Sequence, residues 1–180
     1  MPEKNKGTTY SFDICDQCKS ICCQDAKPPL SENRKNIIQA YLKKQKKSLQ
    51  QPFAKDQYFY PAVDEQIYCM LFNQKTGKCR VHAVKPETCV AGPITFDINF
   101  ASKKVEWFLK KSEICAYAGL LIKDKAAFNA HFCVAKKQIT ALIKELDADE
   151  LRAIVKIEEP QTFKVGEDDL PKEVVKKLGL

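Results

Sequence analysis

The spacing of apolar positions divides the chain into stretches with different periods. Residues 1–11 are polar and contain Gly7, which predicts a flexible tail. A cysteine-rich segment fills 12–25, and Lys27-Pro28-Pro29 then predicts an extended linker, since a residue before proline is kept out of the helical region. Ser31 can cap a helix with Glu32 in its first turn and apolar positions at Ile37, Ile38, Tyr41, Leu42 and Leu49. That helix should stop before Pro52. From 57 to 84 the pattern changes to strand, with Tyr58-Phe59-Tyr60 and then Ile67 to Phe72. Asn73-Gln74-Lys75-Thr76-Gly77 predicts a hairpin turn into Cys79-Arg80-Val81-His82. Ile94, Phe96, Ile98 and Phe100 alternate with polar residues, and Val105, Trp107 and Leu109 alternate again after Ala101-Ser102-Lys103-Lys104. These two runs predict a second hairpin with one buried face.

The last third reads as helical. Asp124 can cap a helix whose stripe is Ala127, Phe128, Val134, Ala135, Ile139, Leu142, Ile143 and Leu146. Asp147 or Asp149 can cap a further turn or two carrying Leu151, Ile154 and Val155, and Pro160 ends it. A polar stretch with Gly166-Glu167-Asp168-Asp169 leads to a short helix after Pro171. The fold class expected is α+β: a cysteine-rich metal-binding segment, two β-hairpins and a helical C-terminal third. The division expected is a tail at 1–11, a cysteine-cluster domain at 12–118, helices packed on it at 119–157, and a tail with a short helix at 158–180.

Composition changes the picture at the cysteines. A chain of 180 residues buries roughly 70% of its unfolded surface, so it does not need covalent staples. It nevertheless carries nine cysteines, an odd number that resists full pairing. Met1-Pro2-Glu3-Lys4-Asn5-Lys6 has no apolar h-region behind its charges, which predicts no secretory signal, and no apolar run reaches about 18 residues. The expected location is the cytoplasm. In its reducing conditions clustered cysteines bind metal or do chemistry more often than they form disulfides.

The net charge of +7 changes the picture little. Only Arg34, Arg80 and Arg152 are arginines, which argues against specific nucleic-acid readout, since that leans on guanidinium forks. Lys43-Lys44-Gln45-Lys46-Lys47 reads as the solvated face of a helix. A four-thiolate site around Zn²⁺ or a [4Fe–4S]²⁺ core carries four negative and two positive charges. One such site would lower the formal +7 to +5, and two would lower it to +3.

Cys15-x2-Cys18-x3-Cys22-Cys23 is the strongest local signal. On a helix, 15, 18 and 22 share one face, while Cys23 lies about 100° from Cys22. In a loop, adjacent side chains also tend to diverge, so these neighbours fit different irons of a cluster, or two sites, better than one tetrahedral zinc. Cys69, Cys79 and Cys89 follow at even spacing, with Cys115 and Cys133 beyond. Cys69 and Cys79 flank the first hairpin turn, and Lys85-Pro86-Glu87-Thr88 stiffens the approach to Cys89. Ala91-Gly92-Pro93 is expected to bend the chain so that backbone amides face the Cys89 sulfur. Cys133, on the apolar-rich last long helix, reads as a small packing residue.

Several chemistries are set aside. Cys15–Cys18 lacks the βαβ context of a thioredoxin motif, and the x2-then-x3 spacing reverses that of radical enzymes using S-adenosylmethionine. It also differs from the ferredoxin run. Six glycines form no phosphate-cradling loop, and His82 and His131 are too few for a histidine-rich catalytic zinc site. Both histidines read as structural, or as supports for metal ligands rather than ligands themselves. Tyr58, Tyr60, Trp107 and Tyr117 read as core rather than a substrate pocket, so sequence alone assigns no catalytic residue.

These cysteines resemble the YkgJ-type cysteine-cluster proteins, described as zinc- or iron-chelating or as containing Fe–S clusters. The resemblance rests on Cys15-x2-Cys18-x3-Cys22-Cys23 and on the run from Cys79 through Val81-His82 and Lys85-Pro86 to Cys89, and it covers roughly 12–118. Lys85 stands where the family usually has arginine, so the guanidinium fork is missing there. The resemblance implies eight metal ligands: Cys15, Cys18, Cys22, Cys23, Cys69, Cys79 and Cys89 map directly, and Cys115 is the choice for the eighth. Cys133 is the extra one. A flagellin lysine methylase carries a similar signature, which keeps a protein-modifying enzyme in view. Two functions are therefore carried forward. One is an iron–sulfur protein, with a [4Fe–4S] cluster as the model, in a redox or protein-modifying role acting on a protein partner or substrate. The other is a zinc-binding structural or interaction module without catalysis.

Overall fold

A computed structural model describes residues 22–24, 26–47, 49–155 and 161–180. The expectations for 1–11, for Cys15 and Cys18, and for the stop at Pro160 lie outside these residues. The structure is α+β, with two apolar clusters of very different size.

The cysteine-bearing part has little regular structure. Helix α1 (Glu32–Lys44) starts at Ser31, whose hydroxyl accepts from the Arg34 amide at 3.1 Å, and it buries Ile38 and Leu42. Ile37, placed on the apolar stripe by periodicity, is exposed. Strands β1 (Phe53–Lys55) and β2 (Phe59–Pro61) pair antiparallel, as do the two-residue strands β3 (Phe72–Asn73) and β4 (Lys78–Cys79). The expected strand from Ile67 to Phe72 does not form as such. The Asp64 carboxylate accepts from the amides of Gln66 and Tyr68, both at 2.9 Å, and this turn puts Ile67 at φ 59°. Tyr68 and Cys69 make only isolated bridges, to Gln24 and Val63. After Cys79 the chain enters a 3₁₀ turn (His82–Val84) rather than continuing as strand, and the short helix α2 (Glu87–Ala91) follows.

The second hairpin forms as expected. Strands β5 (Ile94–Asn99) and β6 (Lys104–Lys110) pair with Ile94 opposite Leu109, Phe96 opposite Trp107 and Ile98 opposite Val105. Phe100 lies beyond the strand and is exposed. Beside β6 lies a strand the apolar pattern does not announce, β7 (Thr162–Asp169), giving the order β5-β6-β7. The segment read as a polar tail is therefore the third strand. It is held partly by charge: Lys164 pairs with Glu106 at 2.9 Å, Lys104 pairs with Glu167, and the Trp107 indole donates to Asp168 at 2.6 Å.

Helix α3 (Ala116–Lys123) is likewise unannounced by the apolar pattern. It leads into α4 (Lys125–Glu145), where the Asp124 carboxylate accepts from the amides of Ala126 and Ala127. His131, Ala135, Ile139, Leu142 and Ile143 form the buried stripe of α4 at helical spacing, while Val134 is exposed. Helix α5 (Ala148–Ile154) opens with a capping box between Asp147 and Glu150. Helix α6 (Lys172–Leu178) follows β7, and its Lys177 ammonium donates to the carbonyls of Ile143 and Lys144 at the end of α4. The sheet, α3, α4, α5 and α6 share one core around Trp107, Ile139 and Leu142. Leu30, Ile38, Leu42, Cys69, Leu71 and Val81 form the other.

Candidate metal centre

Backbone pairing brings distant thiols together. The Cys69 amide donates to the Cys23 carbonyl at 2.7 Å, and Gln24 bridges Tyr68, so the Cys22-Cys23 pair is laid alongside Cys69. The Phe72 amide donates to the Cys69 carbonyl at 2.8 Å, and Phe72 pairs with Cys79. Cys79 thus sits across from Phe72, three residues beyond Cys69, rather than opposite Cys69 itself. Cys23, Cys69 and Cys79 all pack into the smaller core.

The thiols sense one another electrostatically. The Cys22 and Cys23 side chains act on each other, lowering the first thiol and raising the second. The Cys23 donor holds the Cys22 thiol below its usual range, against the opposing effect of burial, with help from the Lys85 and Lys110 charges. Cys23 is pushed up as the proton-holding member of the pair, by burial, and by the charges of Cys22, Cys89 and Cys69. Burial raises Cys69 to about 11, although the Leu71 and Phe72 amides face its sulfur. Burial raises Cys79 too, opposed by the Val81 amide and Lys85. Cys89 is raised by burial and, more weakly, by Cys22, Cys69 and Cys79, while Lys85 pulls the other way. Five cysteines therefore form one electrostatic set, with the Lys85 ammonium beside three of them.

The amides expected at Cys89 are occupied elsewhere. Helix α2 uses the Val90 amide on the Pro86 carbonyl and the Gly92 amide on the Thr88 carbonyl. The Ala91 carbonyl accepts from His131 Nε2 at 2.9 Å. Amides that do face sulfurs include those of Leu71 and Phe72 at Cys69, Val81 at Cys79 and Cys22 at its own thiol.

Not every candidate joins the set. Cys115 sits at the N-terminal end of α3 and packs against the larger core. Cys133 is exposed on α4. His82 is driven down to about 4 by burial and by Lys85, and buried His131 is also lowered, first by burial. His131 meets the Tyr117 ring edge-on at 5.3 Å. Among the described residues, no three His, Cys, Asp or Glu side chains stand close enough together to hold one metal ion.

Sequence reasoning missed the supports of Cys89. Glu87 is only 3% exposed, and its Oε1 accepts from the Ser31 hydroxyl at 2.6 Å and lies 3.8 Å from Arg34 Nε. Arg34 Nη1 donates to the Lys85 carbonyl at 2.9 Å, and its Nη2 donates to Gln138 at 2.6 Å. The Thr88 hydroxyl donates to the Pro29 carbonyl at 3.2 Å. Nothing in local spacing links residues 31, 34, 87 and 138, so no sequence signal could have found them.

The donor set fits a thiophilic metal: five of the described thiols, Cys22, Cys23, Cys69, Cys79 and Cys89, lie near enough to feel one another's charge, and thiolate selects zinc, Cu(I) or Fe–S clusters. Because most of these thiols are held protonated by burial, metal binding must displace protons, and affinity will fall as pH falls. No curated protein and no solved structure matches the chain. A family model does, over residues 14–116. Its description is "CxxCxxCC: Putative zinc- or iron-chelating domain", and the match covers more than half of the chain, so this protein belongs to that family of cysteine-rich metal-chelating domains.

Proposed function

We propose that the chain carries an iron–sulfur cluster, drawn from a ligand pool of Cys15, Cys18, Cys22, Cys23, Cys69, Cys79, Cys89 and Cys115. Its role is redox or protein-modifying, and its setting is the reducing cytoplasm. The supporting observation is the spread of the thiols. Five of them feel each other's charge, yet no three of the described ones stand within the reach of a single ion. Five is also more than one tetrahedral zinc takes. A polynuclear centre, whose ligands sit on different metals, accommodates both facts.

When bound, an iron–sulfur cluster supplies electron transfer. The chain's own part is to pack Cys23, Cys69 and Cys79 in the smaller core, to aim the Leu71, Phe72 and Val81 amides at two of them, and to hold the Lys85 charge nearby. Such amide contacts and fixed charges tune cluster potential. The second reading, a zinc module without catalysis, is favoured by the mutual influence of the adjacent Cys22 and Cys23 thiols, which lowers Cys22 towards the thiolate that zinc takes. Anaerobic purification with iron, zinc and acid-labile sulfide analysis decides between them. A brown protein with iron and matching sulfide is expected. Colourless protein with stoichiometric zinc and no sulfide, from the anaerobic preparation as well, overturns the cluster and leaves zinc.

A further inference from the structure

The helical part beyond the family match touches the Cys89 segment at two places, one on each side of the cysteine. On one side, α4 presents Gln138, whose carbonyl oxygen accepts from Arg34 Nη2 at 2.6 Å. The same guanidinium donates through Nη1 to the Lys85 carbonyl at 2.9 Å. On the other side, α4 presents buried His131, whose Nε2 donates to the Ala91 carbonyl at 2.9 Å. Residues 85 and 91 bracket Cys89, so its backbone is held from α4 at both ends. Ser31 adds a third hold through Glu87, whose Oε2 is buried with no partner of its own.

A five-residue helix has too few internal hydrogen bonds to hold its own position. Its place is set by what grips it, and the grip here is polar, directional and largely removed from water. The surrounding thiols lie on two-residue strands and isolated bridges, which cannot hold Cys89 in register with them.

We propose that α4 is a positioning element of the metal centre, with His131 and, through Arg34, Gln138 fixing the Cys89 thiolate against the other cysteines. This rests on the reading that Cys89 is a ligand. Residues beyond a metal's ligands that orient them typically change affinity 10–100-fold when lost. The proposal also gives the chain beyond residue 116 a part in chelation, because metal affinity is then set partly by residues outside the chelating domain itself.

The test is zinc(II) titration of full-length, metal-free protein against a competing chelator, with the melting temperature of each metal-free variant recorded alongside. Gln138→Ala should weaken zinc binding at least about tenfold. Gln138→Glu, which keeps an oxygen acceptor for Arg34, should restore it. His131→Phe, which fills the space without a donor, should weaken binding, and His131→Gln, which keeps an N–H, should recover part of the loss. A purely structural role predicts lowered melting with unchanged zinc affinity in Gln138→Ala, and that result overturns the proposal. If His131→Phe does not fold, the Gln138→Ala and Gln138→Glu pair still decides the matter. Cys89→Ser separates the two levels: if zinc binding is unaffected by losing that thiol, the ligand reading itself fails. If Cys89→Ser weakens binding while neither Gln138→Ala nor His131→Phe does, only the positioning role fails.

Discussion

The two apolar clusters differ in what they are made of. Among the described residues the larger has twenty-one buried members, mostly from the three-stranded sheet and helices α3 to α6 and joined by Tyr58, Tyr60 and Ala91, with Trp107, Ile139, Leu142 and Ile143 at most 1% exposed. The smaller has six, one of them Cys69, and Cys23 and Cys79 pack against it. In the first, apolar side chains do most of the holding, with Trp107 also donating to Asp168. In the second, part of the packing is done by thiols that also serve as candidate ligands. One half can therefore sustain itself through apolar burial, whereas the other is short of core and long on irregular backbone, which is the condition in which bound metal contributes folding free energy directly.

Stripping the metal should have the largest effect and fall unevenly. Hydrogen exchange after chelation is expected to show protection lost over 59–84 and retained in β5, β6 and α4. Uniform loss would mean the halves are not separate in stability. Ile139→Ala is the mirror experiment. It should cost about 2–5 kcal/mol by calorimetry while metal per folded molecule stays unchanged. Ser31→Ala cuts both a helix cap and a hydrogen bond to a buried carboxylate, and should cost about 1–2 kcal/mol with some metal lost, since it touches the support of Cys89.

Acid should act next. His82 has its folded value lowered to about 4, and His131 is lowered as well, so the unfolded chain takes up their protons first. Their contribution is fully present above pH about 6.5 and is lost as pH falls towards about 4. A melting series over that window should slope downward with acid, and His82→Gln should flatten it. Cys133→Ser is the smallest perturbation. Exposed and outside the interacting thiols, it should leave metal content and melting unchanged within error, and equal metal loss to Cys89→Ser would place the surplus cysteine elsewhere.

Where local chemistry decides, the sequence was readable. Ser31, Asp124 and Asp147 cap helices as their side chains suggest, and β5 and β6 follow from strict alternation. Strand β7 escaped because charge pairs to Lys104 and Glu106, not an apolar face, recommend it to the sheet. Helix α3 escaped because Ala116-Tyr117-Ala118-Gly119-Leu120-Leu121-Ile122 is apolar nearly throughout and offers no period, with Leu120 and Ile122 left exposed. The Ile67–Phe72 run looked like strand because its residues favour one, yet the Asp64 turn claims its first amides. At the candidate metal centre the cysteine motif of the family was legible from spacing, but the supports of Cys89 were not, because Arg34, Glu87 and Gln138 meet only through tertiary structure.

The hydrogen bond from the Cys69 amide to the Cys23 carbonyl closes a loop of more than forty residues, and Cys89 comes later still in the chain. During folding that closure costs entropy before packing rewards it, since the smaller core gains little until its last member arrives. An ion held early between the first and later thiols would tether the loop ends and make the remaining search local. The order of loading and folding would then matter: metal supplied during folding should give more native protein than the same metal added to a chain that has already collapsed.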